Sequence, residues 1–309
     1  MSGLRVACAC EGDYVPHSAA MLHSVLEHGG PGVEVHYLHG PGFDPDAIRL
    51  LRELVEAGGG AIAFHEIAPG SVEGLPTYSM FTSAMWHRTF LPELVPDAGR
   101  ILYLDVDTIA ADSLLPLWET DLGDHWLGAV TNVFQHNHMQ RPGELGLERD
   151  SYFNSGVLLM NLEAMRRDGC AEAVRRCAAE RGEALEWPDQ DALNLVLGER
   201  RLALHPRWNA MNAVLHFPQA AGVFGAEAVE EARRNPGIRH YEGPRENKPW
   251  NYMCPREGRE LYIRHRAATP WPETPLEDAT PANAARRLLR GPRRGQALAE
   301  LRAGTAVTA

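Results

Sequence analysis

Short apolar runs alternate with stretches of helical periodicity along most of the chain. LRVACAC (4–10) predicts a first strand, and VEVHYL (33–38), AIAFHEI (61–67) and RILYLD (100–105) predict three more. Each is apolar and in part β-branched or aromatic, the pattern of strands covered on both faces. A helix is predicted over 18–27. DPDAIRLLRELVEAGG predicts another, opened by a cap-like Asp44-Pro45 and closed by glycines. Strands and helices alternating at this spacing make βαβ units, hence an α/β domain with a mostly parallel central sheet. After Trp126 the pattern loosens, and VTNVFQHNHMQRPGELGLERD reads as a long loop or lid. YFNSGVLLMNL is a further buried strand leading into a helix over 163–180, and WPDQDALNLVLGE predicts a capped helix starting near Asp189.

Composition narrows the class. The chain has 309 residues with ordinary hydrophobic (44%) and charged (23%) content, enough for one decorated α/β domain. A net charge of −11 argues against a general nucleic-acid binder. No apolar run approaches membrane-spanning length and the N-terminus has no secretory pattern, so a cytoplasmic location is expected. The five cysteines form no C-x-x-C pair, and Cys8-x-Cys10 reads as two small buried strand residues rather than zinc ligands. The charge sign reverses at the end of the chain. Arg286, Arg287, Arg290, Arg293, Arg294 and Arg302 face one acid, Glu300, with leucines interleaved. Residues 1–265 are therefore expected to form the domain. Residues 266–309 form a Pro-rich, then basic tail that either docks shallowly on an anionic inner-leaflet surface or extends into solvent.

The chemistry is concentrated in RILYLDVDTIAADSLLPLW, where Asp105 and Asp107 end a buried strand. In extended geometry the two carboxylates point to opposite faces, but a turn beginning at Val106 lets both converge on one cation. The competing reading is a plain strand end at Asp105 and a cap at Asp107.

Four ordered blocks, YLDVDTIAADSLLPLWETDLGDHWLGA, YFNSGVLLMNL, PDQDALN and IRHYEGPRENKPW, resemble those of glycosyltransferase family 8, especially its bacterial lipooligosaccharide α-1,4-galactosyltransferase type. The resemblance covers residues 4 to 265. It implies a single Rossmann-like, A-type domain and a retaining transfer of a hexose from a nucleotide sugar, UDP-galactose first, with Mn²⁺ or else Mg²⁺. On this resemblance Asp105, Asp107 and His240 are the metal ligands, a mixed oxygen and nitrogen set that suits Mn²⁺ better than Ca²⁺. Lys248 looks like the point charge for the departing β-phosphate, with Gly243 letting backbone approach the diphosphate. Ala9, Glu11, Asp13 and Tyr14 match the nucleotide-binding loop, and Val106 is a further donor-binding position. Arg88, Asn154, Asp189 and Gln190 match donor-sugar positions, with Gln190, Asp189 and Arg88 the catalytic candidates. Plainer readings remain beside these: a core histidine at His240, a solvated lysine, an acidic turn at 11–13 and an N-cap at Asp189.

The chain also departs from the family pattern. GPRENKPW is two residues longer between Gly-Pro and Lys, which brings Arg245 forward as a rival for the phosphate, and Asn132 stands where the galactosyltransferase type tends to carry an aspartate. UDP-glucose with a natural-product acceptor is thus a second expectation. The rivals from other classes are a nucleotide-sugar-binding protein without transfer and a nucleotide-sugar hydrolase. Retention is best explained by front-face attack, since an amide such as Gln190 is a poor nucleophile for double displacement.

Overall fold

The structure of the chain is a computed structural model that describes residues 3–77, 82–134, 138–254, 256–273 and 275–290. Its strands are β1 Arg5–Ala9, β2 Glu34–His39, β3 Ala61–Glu66, β4 Arg100–Leu104, β5 Thr108–Ala110, β6 Leu127–Thr131, β7 Phe153–Asn161, β8 Arg201–Ala203, β9 Ala210–Met211 and β10 Ile238–His240. Among the described residues seven of them form the central sheet, in the order β3-β2-β1-β4-β7-β6-β8. Only β7 runs against its neighbours β4 and β6; the other pairs are parallel. This is the mostly parallel α/β architecture expected from the alternation of elements. A small second sheet, β5-β10-β9, sits beside it.

Strand alternation explains the continuous apolar runs. Val6 and Cys8 of β1, Leu102 and Leu104 of β4, and Val157 and Leu159 of β7 enter one core. Ala7, Ala9, Ile101, Tyr103, Leu158 and Met160 enter the other. Both faces are covered, so the runs 6–9, 101–104 and 157–160 within these strands are apolar throughout. The helices α1 (Val15–His28) and α2 (Pro45–Ala57) cover the first face, where Met21, Leu22, Leu51 and Val55 pack. The helices Leu162–Arg167, Cys170–Arg181 and Pro188–Leu197 cover the second through Met165, Val174 and Leu193. Cys8 and Cys10 are buried, and none of the five cysteines forms a disulfide.

Two elements differ from the sequence reading. The first helix starts at Val15, because Pro16 suits its first turn. The helix over 163–180 is two helices, broken where Gly169 takes a left-handed φ of 65°. The segment preceding β4 is a 3-10 helix over Ser83–Phe90. The long polar stretch after β6 contains the short helix Arg141–Glu144, and buried Arg141 pairs with buried Asp191 and donates to Ala184 O at 2.9 Å. Its residues 135–137 lie outside the described residues.

The helix Arg256–Ala267 follows, and Trp271 packs against the first core. Tyr252 N donates to Glu277 O (2.8 Å) and Glu277 N to Trp250 O (2.9 Å). A last helix, Pro281–Arg290, carries Arg287, which donates to Tyr252 O at 2.9 Å and covers that ring. The side chains of the basic stretch after Arg287, including Arg290, Arg293, Arg294 and Arg302, lie outside the described residues. Among those described, no helix is long and apolar enough to cross a membrane.

Candidate active site

After Leu104 the chain turns at Val106 and re-enters as β5 at Thr108. Thr108 fixes that turn by giving both its backbone N–H (3.1 Å) and its hydroxyl (2.7 Å) to Asp105 O. Because β10 pairs antiparallel with β5, His240 lies opposite Thr108. Nε2 of His240 comes within 3.3 Å of Asp107 Oδ1, and ligand atoms of Asp105, Asp107 and His240 all lie within 4.8 Å of one another. Beneath them passes β7, whose Gly156 O accepts from Asp105 N at 2.8 Å. A Cβ on Gly156 would stand 2.4 Å from His240 Cε1 and 2.9 Å from Asp105 Oδ2, so only glycine leaves this cradle open. Two carboxylates, one imidazole and that cradle fit a divalent ion of the Mn²⁺ or Mg²⁺ kind.

The imidazole is held by an amide chain. Gln190 Oε1 accepts from Asn154 Nδ2 (3.1 Å), Ser155 N (3.0 Å) and Ser155 Oγ (3.4 Å). Asn154 Oδ1 in turn accepts from Gly156 N (3.0 Å) and Asn209 Nδ2 (2.8 Å). That orientation leaves Asn209 Oδ1 facing His240 Nδ1 at 2.9 Å. An amide oxygen only accepts, so Nδ1 carries the ring proton and the Nε2 lone pair faces the aspartates.

Charge is balanced locally. Lys248 Nζ contacts Asp107 Oδ2 and donates to Tyr241 O at 3.1 Å. Burial opposes ionisation of Asp107, but the ammonium of Lys248 holds its carboxyl well below the usual range. Arg88 is buried over the Tyr103 ring, donating to Met85 O (3.1 Å) and Ser155 O (2.6 Å). Its Nη2 lies 2.9 Å from Asp105 Oδ1 and 3.4 Å from Asp189 Oδ2. Tyr103 also donates to Asp105, at 3.0 Å. Burial raises Asp189 from 3.8 to about 6 despite Arg88.

The first loop lies at the carboxyl end of β1. Ala9 is buried in the second core, Asp13 is exposed, and Glu11 is half-buried. Glu11 accepts weakly from Ser83 Oγ (3.4 Å) and sits 3.4 Å from His87 Nε2. Burial holds His87 down to about 4, so this contact is a neutral one at pH 7. Tyr14 stands edge-on, at 5.9 and 5.7 Å, to a His17–Trp250 stack whose centroids are 3.8 Å apart. A cleft of about 480 Å³ opens beside this loop, with Asp13, Asp44, Asp46 and Glu277 among its lining. Those four carboxylates give the cleft a negative lining.

A sequence model described as Glycosyl transferase family 8 matches residues 5–254. The chain belongs to glycosyl transferase family 8. General stress protein A of Bacillus subtilis is 30% identical over 272 residues, spanning 86% of this chain and 93% of that protein. The lipopolysaccharide 1,2-glucosyltransferase of Escherichia coli is 21% identical over 286 residues, 84% of this chain and 82% of that one. Among solved structures, the galactosyltransferase LgtC in complex with donor and acceptor sugar analogs superimposes with a TM-score of 0.77 at 27% identity, covering 86% of this chain and 96% of that one. Its A-type fold is the fold found here.

Within this family 8 domain, the positions Asp105, Asp107, His240, Lys248, Arg88, Asn154, Asp189 and Gln190 form one connected polar cluster. Gly243 has a φ of 95°, and a Cβ there would meet Asn247 Nδ2 at 2.7 Å, so its glycine serves the turn itself. Arg245 is paired with Glu277 at 2.9 Å, and Asn132 uses its backbone N–H to extend the pairing to Tyr152 O at 2.9 Å. Sequence reading did not find Asn209, Gly156 or the His17–Trp250 stack. The tripeptide Arg207-Trp208-Asn209 carries no periodic or motif signal of its own, and an invisible Cβ at Gly156 gives none either.

Proposed function

We propose that this family 8 protein is a metal-dependent, anomer-retaining glycosyltransferase. It moves a hexose, galactose first, from a UDP-sugar to a hydroxyl of a saccharide, lipid-linked or small-molecule acceptor with α-linkage. The observation that carries the proposal is the convergence of Asp105, Asp107 and His240 with Lys248 against Asp107. A divalent ion held by those three residues would supply charge neutralisation for the diphosphate leaving group. The loop positions Ala9, Glu11, Asp13 and Tyr14 take the uridine, with Val106 and Gly243 near the phosphates.

Lys248 gives up Asp107 and turns its ammonium to a β-phosphate oxygen, matching the charge that develops as the glycosidic bond lengthens. Arg88 pins Asp105 and Asp189 in one orientation, and Asp189 with Asn154 receives the donor-sugar hydroxyls. Gln190 Oε1 already accepts three hydrogen bonds, so its lone pairs are engaged and attack by that oxygen is disfavoured. Front-face attack follows, the acceptor proton passing to the departing phosphate oxygen.

The preference for galactose rests on the similarity to LgtC. The test is a panel of nucleotide sugars incubated with Mn²⁺, with and without chelator and acceptor hydroxyls. UDP-galactose should turn over fastest, only with metal, and yield an α-linked product. Binding without turnover of any donor would point to a non-catalytic protein. Free-sugar release at a rate indifferent to acceptor would point to a hydrolase.

A further inference from the structure

A second cluster of metal-binding side chains lies away from the donor site. His23 and Glu27 stand one turn apart on α1, and buried His265 reaches them from the helix Arg256–Ala267. Nδ1 of His23 is 3.0 Å from Nδ1 of His265, and Glu27 Oε2 is 3.4 Å from that same His265 nitrogen. The three ligand atoms lie within 4.8 Å of one another. We propose that His23, Glu27 and His265 form a second divalent-metal site, of the zinc class, separate from Asp105, Asp107 and His240.

The distances suit such an ion. Tetrahedral zinc with bonds of about 2.0–2.1 Å sets its ligand atoms about 3.3 Å apart. Two of the three edges here are already near that length. Two imidazoles and a carboxylate are a zinc donor set, and three protein ligands leave a fourth position for water.

Arg264 and His28 also face the cluster. Arg264 Nη2 donates to Glu27 Oε2 at 2.9 Å and to His265 Nε2 at 3.1 Å. Guanidinium only donates, so Nε2 accepts and the His265 ring proton sits on Nδ1, directed at His23. Metal at Nδ1 therefore requires that proton to move to Nε2 and Arg264 to swing away, which its 60% exposed side chain permits. The His28 ring stands 6.5 Å from that of His265, with its Nε2 buried and unpaired among the described residues. An ion here clamps the helix Arg256–Ala267 onto α1, the helix that follows the first loop.

Equilibrium dialysis of the full chain against zinc tests the site. One equivalent should be lost in His23→Ala and in Glu27→Gln, both partly exposed positions, with circular dichroism unchanged. The same equivalent should persist in His240→Asn, and Arg264→Gln should bind it about tenfold more tightly. The proposal is overturned if the unsubstituted chain binds no zinc, if His23→Ala binds as much as the unsubstituted chain, or if Arg264→Gln leaves the affinity unchanged.

Discussion

Asn209 Oδ1 stands 2.9 Å from His240 Nδ1 while the amide nitrogen of the same side chain donates to Asn154 Oδ1 at 2.8 Å. One side chain thus sets the tautomer of the candidate metal ligand and ties it to the donor-sugar side of the site. Asn209→Ala removes the acceptor, frees the imidazole to flip, and should weaken Mn²⁺ binding by about 10–100-fold. Mn²⁺ titration followed by electron paramagnetic resonance measures this, and unchanged affinity would remove Asn209 from the site.

Gly156→Ala should abolish Mn²⁺ binding with little effect on the secondary structure. The added methyl would lie 2.4 Å from His240 Cε1 and 2.9 Å from Asp105 Oδ2, so one of the two ligands must leave its place. A variant that binds Mn²⁺ as tightly as the parent would show that the ligands are not where this geometry puts them.

Lys248→Met should have opposite effects in two assays. Without donor, Mn²⁺ should bind more tightly, since the ammonium no longer competes for Asp107. With donor, kcat should fall by about 10²–10³-fold, the usual loss of one preorganised charge aimed at a developing anion. A fall in kcat with no gain in metal affinity would mean that the lysine does not exchange between Asp107 and phosphate.

Asp189 makes stability depend on pH in the direction opposite to most carboxylates. Burial raises it from 3.8 to about 6, so the native state binds the proton more tightly than the unfolded chain. The contribution of Asp189 is full below about pH 4 and is lost as pH rises through 6, by about 3 kcal/mol. Asp189→Asn, which mimics the protonated acid, should therefore raise Tm at pH 7.5 and leave it unchanged at pH 4, while lowering turnover. Equal shifts in Tm at both pH values would contradict a buried, proton-hungry Asp189. A fold that stabilises on losing a site residue is what a trade between binding and stability predicts.

Much of the site was legible because strand ends and helix starts leave marks in one dimension. The run Ile101 to Leu104 followed by Asp105 and Asp107 signals a covered strand that stops at charge, and Thr108 beyond it completes the turn at Val106. Pro188 and Asp189 at the start of the helix Pro188–Leu197 are likewise local signals. Breaks were less legible. Arg167 and Cys170 both suit helix, and only the left-handed backbone at Gly169 divides the segment.

The chain's own order therefore determines the α/β alternation, the covered strands and the two aspartates at a strand end, since each follows from burial period and turn chemistry over a few neighbouring residues. What only the tertiary structure decides is the company those aspartates keep. His240 comes to them through the antiparallel pairing of β10 with β5, Gly156 through β7, and Asn209 through the turn before β9. Arg88 meets Ser155 and Asp189 from separate segments. Those contacts join residues 31 to 133 positions apart, where no local propensity acts and only the packing of both sheet faces sets who meets whom.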